Sequence, residues 1–351
     1  MKIIVGLSGG VDSSVCALLL QQQGYQVEAL FMKNWEEDDN ETCSAQQDLK
    51  DASAIAKKLN IKLHTVNFSS EYWQEVFEDF IEQHKNGLTP NPDVLCNQKI
   101  KFKVFLEYAL ELGANKIATG HYAQITTDNQ LKVAVDNNKD QSYFLHLLNE
   151  YQLSKSIFPL GGMNKTEVRA LAQKHNLITA NKKDSTGICF IGEKHFQSFL
   201  SQYLPIKEGD MIDKYGNFIK KHQGVAFYTI GQRKGLGIGG GFGKGNEPWF
   251  VADKNITTNE LIVVQGDDRL LYHSIIKVDA IHWINKEPQL PVSFEAKIRY
   301  RQKNQKCTLE IVENGYKISF STPQRAVTKG QSIVFYQDDI CLGGGIIKER
   351  Y

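Results

Sequence analysis

The chain has no apolar run long enough to span a bilayer. Its start, Met1 to Leu7, passes straight into a strand-like run. It carries neither the regions of a secretory signal nor an Arg-rich transit segment, so a cytoplasmic home is expected. Cysteine is sparse: six in 351 residues, with no C-x-x-C pair and no zinc-like spacing. That argues against zinc modules and clustered iron–sulfur ligands. It favours a reducing compartment, where a cysteine pair is catalytic rather than a structural staple. Net charge is nearly absent too, at +1. A chain coated in positive charge is excluded, but a local basic patch could still bind RNA. Fixed-period repeats and low-complexity tails are missing, and the ordinary apolar content disfavours a disordered or fibrous chain. This length predicts two or three domains.

What is present alternates. Lys2 to Leu7, Gln26 to Met32, Lys62 to Phe68 and Lys116 to Thr119 read as short buried strands. Between them, Ser13 to Gly24, Ala45 to Leu59 and Lys101 to Leu112 have helical spacing. This predicts an α/β fold, a doubly wound Rossmann-like parallel sheet whose ligands lie at the carboxyl ends of the strands. Helical signals continue at Lys165 to His175 and Glu193 to Tyr203. After Pro205 the texture becomes β-rich, with strands expected at Gly224 to Ile230, Leu261 to Gln265, Val292 to Tyr300, Cys307 to Val312 and Ser332 to Tyr336. The expected division is a catalytic domain over 1–204, a small β domain over 205–268 and a β-barrel over 269–351.

The first strand runs into Ser8-Gly9-Gly10-Val11-Asp12-Ser13-Ser14. Two glycines let backbone N–H groups approach an anion, and the following helix N-terminus favours negative charge, so this loop suits a polyphosphate. Ser8, Ser13 and Ser14 offer hydroxyls, and Asp12 is the expected Mg²⁺ ligand. The loop lacks both the Walker A ending and the G-x-G-x-x-G spacing. The plainer alternative is a glycine turn that joins strand to helix. Two cysteines also stand in loop-like surroundings: Cys96 in NPDVLCN and Cys189 in DSTGICFIG. Lys99 and Lys101 follow the first, and Lys182 and Lys183 precede the second, which favours thiolates. Either cysteine alone reads equally well as a buried apolar residue. Cys16, Cys43, Cys307 and Cys341 read as that bland case.

SGGVDSS after a first strand resembles the pyrophosphate loop of N-type ATP pyrophosphatases. With it come MKNW (Met32 to Trp35), NPDVLCN, IKF, TGHY (Thr119 to Tyr122), KDQSYFL, DSTGICFIG, GQRKGLGIGG, RYRQ and CLGGGII. Together, in this order over nearly the whole chain, these strings resemble the bacterial tRNA-specific 2-thiouridylases. The resemblance implies an adenine nucleotide α-hydrolase-like domain that binds ATP on Gly6, Leu7, Ser8, Gly9, Gly10, Val11, Asp12 and Ser13. Met32 and Gly120 would flank the adenosine. It implies that a wobble uridine of tRNA is adenylated at its C2 oxygen. Sulfur would come from a persulfide on Cys189, with Cys96 as the second thiol and Asp93 as the acid or base; a cap residue is the plainer reading of Asp93. A sulfur-relay protein would load Cys189.

The same resemblance places Asn91, Pro92 and Asp93 against the target base. It places His121, Lys139, Asp140, Gln141, Arg299, Tyr300 and Gln331 against the RNA. The stretch from Arg299 to Lys303 offers three cations around one aromatic ring, which suits phosphates and stacked bases. It equally suits a strand edge guarded by charge. Gly231 to Gly245 reads either as a phosphate-tracking loop or as a hairpin. Rival readings are a synthetase that adenylates a small metabolite, a non-catalytic RNA-binding or sulfur-relay protein, and an iron–sulfur thiolase. The first needs no second cysteine, the second would make no AMP, and the third needs clustered cysteines.

Overall fold

The computed structural model describes residues 1–35, 44–184, 196–239 and 247–351. Five parallel strands form the first sheet: β1 (Lys2–Gly6), β2 (Gln26–Lys33), β3 (Leu63–Asn67), β4 (Lys116–Ala118) and, after a hairpin described below, β7 (Ser156–Ile157). Their order is β3-β2-β1-β4-β7, so the sheet is doubly wound with β1 central, as expected. Ile3, Ile4 and Val5 are fully buried, because helices cover both faces of the sheet. One face packs on α1 (Val11–Gln22), α2 (Ser44–Leu59) and α5 (Lys165–Lys174). The other packs on two longer helical runs, α3 over 69–85 and α4 over 92–111. The π-helical stretches Trp73–Phe77 and Cys96–Val104 lie within those runs. Neither π-stretch was legible from apolar spacing.

The middle of the chain makes a four-stranded sheet from β8 (Gly209–Asp213), β9 (Phe218–His222), β10 (Trp249–Asn255) and β11 (Glu260–Gln265). The strand expected at Gly224 to Ile230 is absent; Val225–Phe227 is a 3₁₀ turn. Gly224 has φ +131°, and its N–H donates to the His222 ring 2.9 Å away, which turns the chain out of the sheet.

The C-terminal strands close on themselves. In sequence they are β12 (Tyr272–Val278), β13 (His282–Trp283), β14 (Val292–Lys297), β15 (Gln305–Val312), β16 (Gly315–Arg325), β17 (Ser332–Gln337) and β18 (Ile340–Arg350). Pairing runs β12-β16-β15-β14-β17-β18, and β18 pairs back to β12, so the barrel has no open edge there. A hairpin from the first region, β5 (Gln124–Ile125) and β6 (Leu131–Lys132), adds to β18 through Ile340 and Cys341. That clasp joins the barrel to the parallel-sheet region. No helix among the described residues is long and apolar enough to cross a membrane.

Candidate active site

The candidate residues of the phosphate loop lie at the carboxyl end of the parallel sheet, where open α/β sheets bind ligands. Leaving β1, Leu7 N–H donates to Leu30 O at 2.9 Å, and the chain then turns at Ser8-Gly9-Gly10. Gly9 has φ +74°, and a Cβ there would stand 2.4 Å from Asp48 O, so only glycine fits. Ser13 Oγ lies 3.2 Å from Ser8 N, Ser8 Oγ and Gly10 O, which holds the loop in a curl. Ser14 does not offer its hydroxyl to a ligand as expected. It is fully buried, donates to Gly10 O at 2.8 Å and accepts from Thr179 Oγ1. Gly120, just past β4, packs on the start of α1: a Cβ would lie 2.9 Å from Asp12 C and Ser13 N. A Cβ on Gly6 would lie 3.6 Å from Met32 Cε and 3.3 Å from Phe105. Gly6, Met32, Gly120 and the loop are therefore gathered at one place.

Charge pairs surround this loop. Lys165 Nζ lies 2.7 Å from both oxygens of Asp12 and 2.8 Å from Asp184 Oδ1. Tyr122 O–H also donates to Asp12 at 2.8 Å. Asp184 further accepts from Lys139 at 2.6 Å and Arg169 at 2.9 Å. Burial alone would raise the Asp184 pKa, but the hydrogen bonds from Lys139 and Lys165 outweigh it and hold the group at about 2. Lys182 Nζ braces Gly9 O at 3.0 Å and pairs with Asp48 and Asp51. These donors do not fit a metal as they stand. Both Asp12 oxygens hold an ammonium, Asp184 shares that ammonium, and no three-ligand cluster of His, Cys, Asp or Glu exists among the described residues.

The other side of the site is apolar. The run α4 begins at Asn91, with Pro92 at its first position, where a missing N–H costs nothing. Cys96 is 3% exposed and sits in the core cluster with Phe102 and Phe105. One helix thus carries the Cys96 thiol and, nine residues on, the Phe105 ring that faces Gly6. Asp93 has its pKa raised by burial, with Lys101 opposing. Next to Cys96, Asn97 donates to Phe144 O at 3.1 Å, while its buried Oδ1 has no partner among the described residues. Cys189, like Cys43 and Gly240 to Gly245, lies outside the described residues. Cys16, Cys307 and Cys341 are buried in helix or strand, and burial pushes the latter two thiols up to about 12.

The residues assigned to RNA by resemblance are mostly engaged within the protein. His121 is buried between Phe102 and Phe158, contacts Thr119 Oγ1 at 2.8 Å, and is held neutral by burial. Lys139 pairs with Asp184. Asp140 is buried and accepts from Ala134 N and from Ser142. Gln141 Oε1 accepts from Tyr122 N. Arg299 donates to Ile230 O, Ala326 O and Thr328 Oγ1, tying the middle sheet to the barrel. Gln331 donates to Thr89 O at 2.8 Å and Pro90 O at 3.2 Å, bracing the chain just before Asn91 to Asp93. Tyr300 packs on Phe144 at 4.6 Å, with Arg301 over its ring. Sequence reasoning missed Lys165, Asp184 and Tyr122. The capping box Asn164-x-x-Glu167 marked a helix start at Lys165, but no local signal shows that its ammonium reaches Asp12, 153 residues away.

Comparison with known proteins follows the same three-part layout. Residues 1–193 match the family described as tRNA methyl transferase HUP domain, 197–265 the tRNA methyl transferase PRC-barrel domain, and 273–347 the Aminomethyltransferase beta-barrel domain. The tRNA-specific 2-thiouridylase of Ruthia magnifica subsp. Calyptogena magnifica is 64% identical over 99% of this chain and 98% of its own. That of Hydrogenovibrio crunogenus is 56% identical over 100% of this chain and 95% of its own. Likeness to solved structures is looser. The NMN synthetase from Francisella tularensis covers 52% of this chain and 66% of its own, at 20% identity and a TM-score of 0.34.

Proposed function

The chain belongs to the tRNA-specific 2-thiouridylase family, and from that premise we propose how its residues replace the C2 oxygen of a tRNA wobble uridine with sulfur. The protein is a tRNA sulfurtransferase, and ATP is the energy source that its phosphate loop suits. ATP lies on Gly6 to Ser13, with Met32 and Gly120 beside the adenosine. The uridine C2 oxygen attacks the α-phosphorus, the bond to the β-phosphate oxygen breaks, and pyrophosphate leaves. C2 now bears AMP, a good leaving group. The terminal sulfur of a Cys189 persulfide attacks C2, and the C2–O bond breaks to release AMP. Cys96 then attacks Cys189 Sγ, the S–S bond breaks, and the base keeps its thiocarbonyl. A Cys96–Cys189 disulfide remains, and an external thiol reduces it. A second route, in which Cys96 attacks the persulfide first and releases hydrosulfide onto C2, ends in the same disulfide.

Asp93 suits the proton transfers, because burial raises its pKa above the usual carboxylate value, with Lys101 opposing. No step runs through Mg²⁺, since Asp12 holds Lys165. A sulfur-relay protein loads Cys189, and the enzyme works in the cytoplasm. Residues 1–204, 205–268 and 269–351 act as catalytic domain, small β domain and tRNA-contacting barrel.

One observation carries this reading: a single helix bears the buried Cys96 and packs Phe105 on Gly6 of the nucleotide loop. The test is mass spectrometry of nucleosides from tRNA treated with the protein, ATP and a persulfide source. 2-Thiouridine should appear only with ATP present. Thiolation without ATP, or AMP formation with no thiolated base, would remove the reading.

A further inference from the structure

We propose that Lys254 is a positioning residue for the sulfur-transfer step, holding from the middle sheet the short segment 87–90 that leads into Asn91, Asp93 and Cys96. The proposal rests on the reading above, in which Asp93 and Cys96 act on the base. The run α3 ends at Gly87, which is left-handed with φ +69° and whose N–H donates to His84 O at 2.9 Å. Leu88 N–H turns back to Gln83 O at 3.0 Å. The next run, α4, starts at Pro92, and residues 88–91 have no regular structure of their own. Their course is therefore set by what the rest of the chain holds.

Two other regions hold this segment. From the barrel, Lys329 O accepts from Thr89 N–H at 3.0 Å, and the Gln331 amide donates to Thr89 O and Pro90 O. A Cβ on Gly330 would stand 2.9 Å from Thr89 N, so the barrel backbone lies directly against the segment. From the middle sheet, Lys254 at the end of β10 donates from Nζ to Gly87 O at 3.2 Å. A Cβ on Gly87 would meet the Ile256 side chain at 2.6 Å. The start of the segment is thus fixed by one domain and its end by another.

The surroundings of Lys254 show what its bond is for. Burial disfavours its charge, Arg350 adds to that and Asp253 opposes, so its pKa falls to about 7. Arg350 is itself tied to Val327 O, Ala252 O and Asp253. The nearby His84 is kept neutral by burial, with the Lys254 charge adding to the effect. An ammonium kept in such a place costs stability at neutral pH. Its contribution is position: it sets where Gly87 O lies, and with it the entry to the helix that bears Cys96. A residue that only stabilised the fold would, on removal, lower melting temperature, use of tRNA and ATP affinity together. A positioning residue lowers the chemical step while both affinities hold.

The experiment is thiolation of tRNA by the full chain with ATP and a persulfide source, read by nucleoside mass spectrometry. Calorimetry with ATP and hydrogen exchange of the free protein accompany it. In Lys254→Met the rate at saturating tRNA should fall about tenfold, with KM for tRNA and affinity for ATP within about twofold of the parent. Exchange over residues 87–91 should quicken while the parallel sheet is unchanged. Lys254→Arg, which keeps a charged donor, should recover part of the rate. Combined with Gln331→Ala, Lys254→Met should lose less than the product of the two single losses, because both act on one segment. Circular dichroism melts check that each variant is folded, and Lys254→Gln replaces Lys254→Met if that variant melts early. An unchanged rate, unchanged exchange over 87–91, a loss confined to KM or ATP affinity, or losses that simply multiply overturns the proposal. A parent protein that makes no 2-thiouridine overturns instead the reading beneath it.

Discussion

The two sides of the site are built from opposite materials. Around the phosphate loop, Asp12, Lys165, Asp184, Lys139 and Arg169 form a connected set of ion pairs, and Lys182 pairs separately with Asp48 and Asp51. Around Cys96 the packing is largely aromatic: Phe102 and Phe105 share its core cluster, His121 is kept neutral by burial, and burial raises the Asp93 pKa against the nearby charge of Lys101. Phosphate chemistry needs fixed positive charge. Transfer of sulfur to a ring carbon needs few competing waters. The difference shows how one sheet edge can run both half-reactions: α4 spans the two environments and keeps them separate.

Substitutions that strike one side alone test the separation. The largest effect is expected from Cys96→Ser: 2-thiouridine formation should drop about a thousandfold or more, with nucleotide affinity unchanged. Equal loss of both, in calorimetry and nucleoside analysis, would merge the two sides into one. Gly9→Ala is the converse. Its Cβ would meet Asp48 O at 2.4 Å from a backbone with φ +74°, so nucleotide binding should weaken on the order of tenfold to a hundredfold. Cys96 alkylation by iodoacetamide should stay at the parent rate. Gln331→Ala removes the brace on Thr89 and Pro90, two residues or fewer before Asn91. The rate of thiolation should fall about fivefold to tenfold while ATP affinity holds; a changed affinity instead would mean the barrel reaches the loop side.

The smallest effect is on pH stability. Burial holds His84, His146 and His273 near a pKa of about 4, below the usual imidazole value of about 6.5. The unfolded chain therefore takes up more protons than the folded one between those values. Their contribution is complete above pH 6.5 and is lost as pH falls toward 4. Melting temperature should decline over that window, and the decline should be shallower in His84→Gln. An equal decline would remove His84 from the account.

The parallel sheet was legible because each strand is a short apolar run between helices of regular spacing, and β1 to β4 sit where those runs are. The loop was legible because Gly9 and Gly10 between strand and helix have few other uses. The rest depended on contacts distant in sequence. β5 and β6 are two residues long and exist only through Ile340 and Cys341. The resemblance places Asp140, His121 and Arg299 against the RNA, and their residue types alone say nothing of their partners within the protein. Composition cannot tell an outward charge from one turned inward onto Ser142, Thr119 or Ile230. Lys165 is the reverse case, a lysine in an ordinary helix start whose partner lies across the molecule.

The central claim is that ATP makes the uridine oxygen replaceable and sulfur takes its place. An oxygen-18 label at C2 of the target uridine tests it most directly. The account predicts that the label leaves in the phosphate of AMP, one atom for each 2-thiouridine made. Label found in pyrophosphate or water, or retained in the thiolated base, would contradict it.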